Sequence, residues 1–163
     1  MRKRGIIAGA VGATLVAGAA LRGMMRRFAI VEASMVPALE PGDWVLARRR
    51  TGSPERGDIV VYDDPAATNR HFVKRVVGLA GERIGVDGGR VTVNGAVLAD
   101  RWAQGLTEPD GEWTIPEGHV WVLGDNRPLS TSDSRTVGPI GVDDIDWIVV
   151  SRYWPTSRVG AVD

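Results

Sequence analysis

Cysteine is absent from the 163 residues, which excludes a disulfide framework and thiol chemistry. Histidine is scarce as well: His71 and His119 lack a ligand cluster, so no metal and no cofactor is expected. Lysine is almost missing. Of the 20 basic residues only Lys3, in the N-terminal tail, and Lys74 are lysines; the rest are arginine. Arginine is effectively never deprotonated, whereas a buried lysine can lose its proton near neutral pH. Any amine base in the body of the chain is therefore Lys74. No amphipathic helix of useful length appears after the N-terminal segment. Net charge is zero but unevenly placed: residues 1–27 carry six basic and no acidic residues, which leaves 14 basic and 20 acidic in the remainder. An acidic body argues against a nucleic-acid surface, and the length suits one domain with a real core.

The longest uncharged run is Gly5 to Leu21, behind Met1-Arg2-Lys3-Arg4. As a helix it spans roughly 26 Å, and Arg22 can snorkel to meet a hydrocarbon core of about 30 Å. The expected organisation is a short cytoplasmic tail (1–4), a transmembrane anchor (5–22) and a β-rich domain (28–163). A cleavable secretory signal is the rival reading, since Ala17-Gly18-Ala19 has the small residues of a cleavage site. Three basic residues flank each side of the run, so charge does not decide its orientation.

From Phe28 onward, apolar runs alternate with Gly, Pro and Asp turns. Strands are expected over 44–47, 59–62, 72–77, 84–86, 91–93, 120–123 and 145–150, with Asn94-Gly95 as a two-residue hairpin turn. Residues 99–112 have no clear period and read as a surface loop. The fold class is mainly β, a sandwich or barrel. Some of the six tryptophans suit either a core or a bilayer interface.

Two residues carry the chemistry. Ser34 stands directly after the basic-flanked apolar segment, and Pro37 pushes Val36 toward an extended conformation, so no helix continues past the serine. Lys74 lies in the β-rich run 71–77, sharing a strand face with Phe72 and Val76, an apolar setting that depresses a lysine pKa. A third stretch, Gly124 to Arg135, packs two acids, two arginines and four hydroxyls into one loop.

These stretches together resemble the type I signal peptidases, membrane-anchored Ser–Lys proteases. Ser34-Met35-Val36-Pro37 is similar to that family's serine motif, and Arg56-Gly57-Asp58-Ile59-Val60-Val61 to its buried strand. Lys74-Arg75-Val76-Val77-Gly78 resembles its lysine motif; Gly124-Asp125-Asn126-Arg127 with Asp133-Ser134-Arg135 resembles its polar loop. The four occur in family order.

The resemblance implies a signal-peptidase-like β domain with a short second-subdomain insertion around 84–119. It makes Ser34 the nucleophile and Lys74 the general base, supported by a hydroxyl from the polar loop. That hydroxyl falls on Ser130 counting from Gly124 and on Thr131 counting back from Asp133. Arg75, Asp125, Asp133 and Arg135 become structural ion pairs of the site; Met35, Pro37 and Phe72 become substrate-binding residues. The implied reaction is hydrolysis of signal peptides from secreted preproteins after Ala-x-Ala sequences, with the peptide held extended beside residues 30–34 and 72–74. Implied partners are preproteins and the lipid bilayer, with the secretion machinery allowed. The implied location is the bacterial plasma membrane, single-pass, with the catalytic domain on the extracytoplasmic face. One departure concerns Glu32, two residues before the nucleophile, where some members carry a serine hydroxyl for the oxyanion. An ionised glutamate only accepts hydrogen bonds, so it either points outward or slows the enzyme. Two other readings stand beside this one: a dedicated maturation protease similar to nickel superoxide dismutase processing enzymes, and an anchored β-domain that binds peptides without cutting them.

Overall fold

Short apolar runs punctuated by glycine turns have one good use, which is to pair as strands. The computed structural model describes residues 23–63 and 70–162. The expected tail (1–4) and anchor (5–22) lie outside the described residues, and among the described ones no helix is long and apolar enough to cross a membrane.

The larger sheet runs β1 (Met25–Ala29), β2 (Trp44–Arg49), β11 (Ile145–Trp154), β3 (Ile59–Asp63), β4 (His71–Gly78), β9 (His119–Leu123) and β10 (Ile140–Gly141), with β12 (Gly160–Ala161) added to β11. A smaller sheet runs β7 (Ala96–Val97), β6 (Arg90–Val93), β5 (Arg83–Asp87) and β8 (Gly111–Thr114). The pairings between these strands are antiparallel. The chain is mainly β, as its turn-punctuated pattern predicts. A single-turn α-helix, α1 (Ser134–Val137), lies inside the polar loop.

The middle of the large sheet is covered on both faces, and that explains why β3 reads as a continuous apolar run. Ile59 and Val61 join one core with Phe28, Met35, Leu39, Val45 and Ala47. Val60 and Tyr62 point the other way, into a core with Phe72, Val76, Val122 and Ile148. Alternate residues of a strand face opposite sides, so a strand covered on both faces is apolar throughout. A third cluster joins the sheets through Val77, Ile84, Val91, Ile115, Trp121 and Leu123. Gly78 permits this junction, since a Cβ there would come within 2.6 Å of both Ile84 and Ile115.

The Asn94-Gly95 turn is as expected, with positive φ at both residues (52° and 82°), and it joins β6 to β7. Strands β1, β8, β10 and β12 go beyond the sequence reading, and two of them show why. Residues 99–112 are mostly loop, but Gly111 starts β8, whose Trp113 pairs with Ile84 and packs on the third core. β1 opens with Met25-Arg26-Arg27, residues read as a membrane flank, because their backbone pairs with 46–48 while both arginines stay exposed. The tryptophans divide: Trp121 is fully buried, whereas Trp44 and Trp154 meet across β2 and β11 and are exposed.

Candidate active site

Ser34 sits in one 3₁₀ turn, Ala33–Met35, between β1 and β2. Glu32 before it and Val36 after it are extended, the latter as Pro37 requires. A turn this short buries the serine and its neighbour Met35 while leaving the chain free to reverse into β2. Lys74 comes from the middle of β4, where it stands opposite Val60 of β3. Its Nζ lies 3.0 Å from Ser34 Oγ and 3.1 Å from the Val73 carbonyl. Two residues 40 apart in sequence are in hydrogen-bond contact.

The amine is 2% exposed as a residue and rests 5.5 Å from the centre of the Phe72 ring. Burial pushes the Lys74 pKa below its ordinary value, against the opposing pull of Asp133 and Glu32. Arg135 adds to the lowering, while Asp125 opposes it.

The polar loop closes over the pair. Its Asn126 N–H donates to the Ser34 carbonyl at 2.9 Å, so the Ser34 backbone is tied to this loop. Gly124 makes the approach possible: a Cβ there would lie 2.3 Å from Ser130 Oγ and 2.7 Å from Ser34 O. Neither Gly124 nor Asn126 has a role in the sequence reading, because a backbone donor and a missing side chain leave no chemical signature. Ser130 is buried and donates to Asp133 Oδ2 at 2.7 Å, whereas Thr131 is exposed. The residue turned inward is thus Ser130, and its hydroxyl proton is given to Asp133.

Three guanidinium–carboxylate pairs hold this region. Arg75 binds both oxygens of Asp125 at 2.8 Å. Arg135 likewise grips Asp133, at 2.9 and 2.8 Å, and also donates to the carbonyls of Ser130, Arg127 and Glu108. Arg127, unassigned from sequence, bonds Asp100, Thr107 and the Gly124 carbonyl, and so stitches the loop around residues 99–109 to the site. Burial pushes the Asp125 carboxyl up against the pull of Arg75. Burial also acts to raise Asp133, but the bonds from Arg135, Ser130 and the Gly124 amide outweigh it and hold that carboxyl low.

A cleft of about 610 Å³ opens at the dyad, between residues 26–35 and the first half of β4. Met35 and Phe72 line it, as do Phe28 and Ile30; Pro37 does not, and its carbonyl instead accepts from Arg158 at 3.2 Å. Among the described residues β1 pairs on one side only, with β2, and β9 covers β4 only from Arg75 onward. Two strand edges therefore flank the cleft. Glu32 turns to solvent, where its carboxylate meets Arg70 across the cleft at 3.5 Å. Among the described residues no cluster of His, Asp or Glu could hold a metal ion.

Comparison with known proteins assigns the family. The profile described as "Signal peptidase, peptidase S26" matches residues 4–154. The chain belongs to the S26 signal peptidase family. Its members are serine endopeptidases, so the reaction class is peptide-bond hydrolysis. The chain is 37% identical over 140 residues to a signal peptidase I from Leptolyngbya laminosa, covering 78% of this chain and 68% of the relative. It is 33% identical over 144 residues to thylakoidal processing peptidase 1, chloroplastic, from Arabidopsis thaliana, covering 80% of this chain but only 42% of that one. Among solved structures, a signal peptidase I from Enterococcus faecalis V583 superposes with a TM-score of 0.53 at 26% identity, over 61% of this chain and 98% of that one.

Proposed function

We propose that this chain is a membrane-anchored signal peptidase I, in which Ser34 is the nucleophile and Lys74 the general base. The observation that carries it is the 3.0 Å separation of Ser34 Oγ and a buried Lys74 amine whose pKa burial lowers. In the neutral amine, Nζ takes the Ser34 proton as Oγ attacks the scissile carbonyl. The Ser34 N–H is a donor for the oxyanion that forms. Lys74, now an ammonium, passes its proton to the departing amine, which leaves an ester on Ser34. Water then attacks the ester carbonyl as Lys74 takes one of its protons; the bond from the acyl carbon to Ser34 Oγ breaks, Lys74 returns that proton to Oγ, and the signal peptide leaves as the acid, which ionises in solvent.

Substrate binding follows from the cleft. A peptide laid between the two open strand edges pairs as an added strand, and small side chains before the cut enter the apolar floor at Met35 and Phe72. Ser130 and Asp133 hold the loop against the lysine, Thr131 has no part, and Pro37 acts through the backbone. Glu32 is an outward residue, which leaves the Ser34 N–H as the oxyanion donor assigned here. Residues 5–22 are the anchor, and the catalytic domain faces the side on which signal peptides emerge, at a bacterial plasma membrane.

The test is cleavage of a membrane-reconstituted precursor bearing an Ala-x-Ala signal by wild type, Ser34→Ala and Lys74→Arg. Wild type should cut after the second Ala, while both variants should lose on the order of 10⁴-fold or more in rate, since arginine keeps charge but cannot act as base. Activity in both variants would sink the dyad. A panel of unrelated precursors separates a general enzyme from a dedicated maturation protease.

A further inference from the structure

The segment that follows the nucleophile, residues 36–43, contributes no residue to the proposed chemistry, yet it is gripped from outside at several points. Arg152, on β11, donates to the Ala38 carbonyl at 2.8 Å and reaches Asp43 Oδ2 at 3.3 Å. Arg158, in the 3₁₀ turn Thr156–Arg158, donates to the Pro37 carbonyl and pairs with Glu40 at 2.6 Å and Asp43 at 3.4 Å. Arg152 Nε in turn donates to the Arg158 carbonyl, which couples the two. Asp43 is 2% exposed and also accepts from the Glu40 N–H at 2.9 Å.

The grip is transmitted to Ser34 through the backbone. Leu39 N–H donates to the Met35 carbonyl at 2.8 Å, and Ile30 exchanges bonds with Asp43 and Gly42 on the other side of the turn. Ser34 thus stands on a reversal whose return arm is fastened to the last strand and the turn beyond it. β12 returns along β11, pairing Gly160 with Arg152, and so fixes the turn that bears Arg158. Residues 155–163 fall outside the stretch matched by the family profile, which ends at 154.

We propose that Arg152 and Arg158 are positioning residues, a two-arginine clamp that sets the nucleophile turn against Lys74. The physical reason is geometric. A guanidinium presents several donors in a fixed plane, so it holds two carbonyls and a carboxylate in one relative arrangement. Apart from the Asn126 bond to its carbonyl, Ser34 is carried on a single 3₁₀ turn, and displacement of about 1 Å at a reacting atom costs up to roughly 100-fold in rate. This inference rests on the Ser34–Lys74 reading.

The test uses the full chain in membranes, with Arg152→Ala, Arg158→Ala and Arg158→Lys beside wild type and Ser34→Ala. Rates are counted per folded molecule, and acylation of Ser34 by a serine-reactive inhibitor is timed in parallel. Arg158→Ala should lower kcat about tenfold and Arg152→Ala up to about 100-fold, with KM within about twofold, because the peptide cleft is untouched. Acylation should slow by the same ratio, and Arg158→Lys should fall between Arg158→Ala and wild type. Val86→Ala, in the small sheet, serves as the control that lowers the melting temperature without lowering kcat. Wild-type kcat per folded molecule in Arg158→Ala, or a change in KM alone, would overturn the clamp. Arg158 is partly exposed, so its two variants carry the test if Arg152→Ala does not fold. Activity in Ser34→Ala would instead show that the dyad reading had failed.

Discussion

Two segments converge on the dyad, and different groups hold them. The segment bearing Ser34, residues 30–43, is fastened at the carbonyls of Ser34, Ala38 and Pro37 by Asn126, Arg152 and Arg158, and the same two arginines pair with its Asp43 and Glu40. The polar loop, residues 124–136, is held by Arg75 on Asp125, by Arg135 on Asp133 and on the carbonyls of Ser130 and Arg127, and by its own Arg127 reaching Asp100. The first set fixes where Ser34 stands. The second also sets the charge around Lys74, since Asp133, Asp125 and Arg135 all act on it. A Ser–Lys pair needs both, because the serine must be placed and the lysine must be neutral.

The contrast can be broken most severely at Asp133. Asp133→Ala strands the Arg135 guanidinium in a site where it is 6% exposed, and loss of one partner from a buried pair typically costs about 3–5 kcal/mol. Urea or thermal unfolding should register that loss. It should shrink in acid: the folded carboxyl is held low, so its stabilisation is present above the unfolded value near 3.8 and disappears as pH falls through the folded value.

Gly124→Ala tests the contact between the segments. Its Cβ would press on Ser130 Oγ and Ser34 O, and forced overpacking of this kind costs about 1–3 kcal/mol. We expect kcat to fall more steeply than stability, as seen by comparing turnover with the melting temperature, because the strain lands on the nucleophile's carbonyl.

Lys74→Met separates catalysis from stability. The variant should be inactive yet melt at a higher temperature, since it removes a buried amine that must stay neutral. The sign is set by the lowered pKa: the unfolded chain binds the proton more readily below 10.5, so the lysine's cost is full below its folded pKa and gone above 10.5. The gain from methionine should therefore fade as pH rises. In wild type, cleavage should rise with pH along a limb whose midpoint lies below 10.5, the point at which an ordinary lysine would titrate.

The smallest effect belongs to Thr131, at the surface. Thr131→Ala should leave turnover within about twofold, while Ser130→Ala, which breaks a buried 2.7 Å bond to Asp133, should cost about 0.5–1.5 kcal/mol in stability and more in rate. Equal effects from the two would undo the distinction between them.

Most strands were legible because their sheet is covered on both faces or lies between glycine turns, and either condition leaves apolar runs or alternation in the sequence. β1 was not, since Arg26 and Arg27 obey the solvent at an open edge while only their backbone obeys the sheet. β8 was hidden likewise: Gly111 to Thr114 is too short to show a period, and its pairing with β5 depends on residues 25 or more positions away. In the candidate site, Lys74 stood out as the one lysine in the body of the chain and Ser34 by its place just ahead of a proline. The choice between Ser130 and Thr131 was not, because adjacent hydroxyls differ only in which way the loop turns.

The sequence by itself determined the chemistry available: one lysine in the body of the chain, no thiol, and a serine past which a proline lets no helix continue. It also determined a β fold, through runs that only paired strands can bury. The tertiary structure alone decided that serine and lysine meet at 3.0 Å, that Glu32 turns away toward Arg70, and that arginines more than 100 residues downstream grip the nucleophile's segment. Those are distances between parts of the chain far apart in sequence, and packing sets such distances where composition does not.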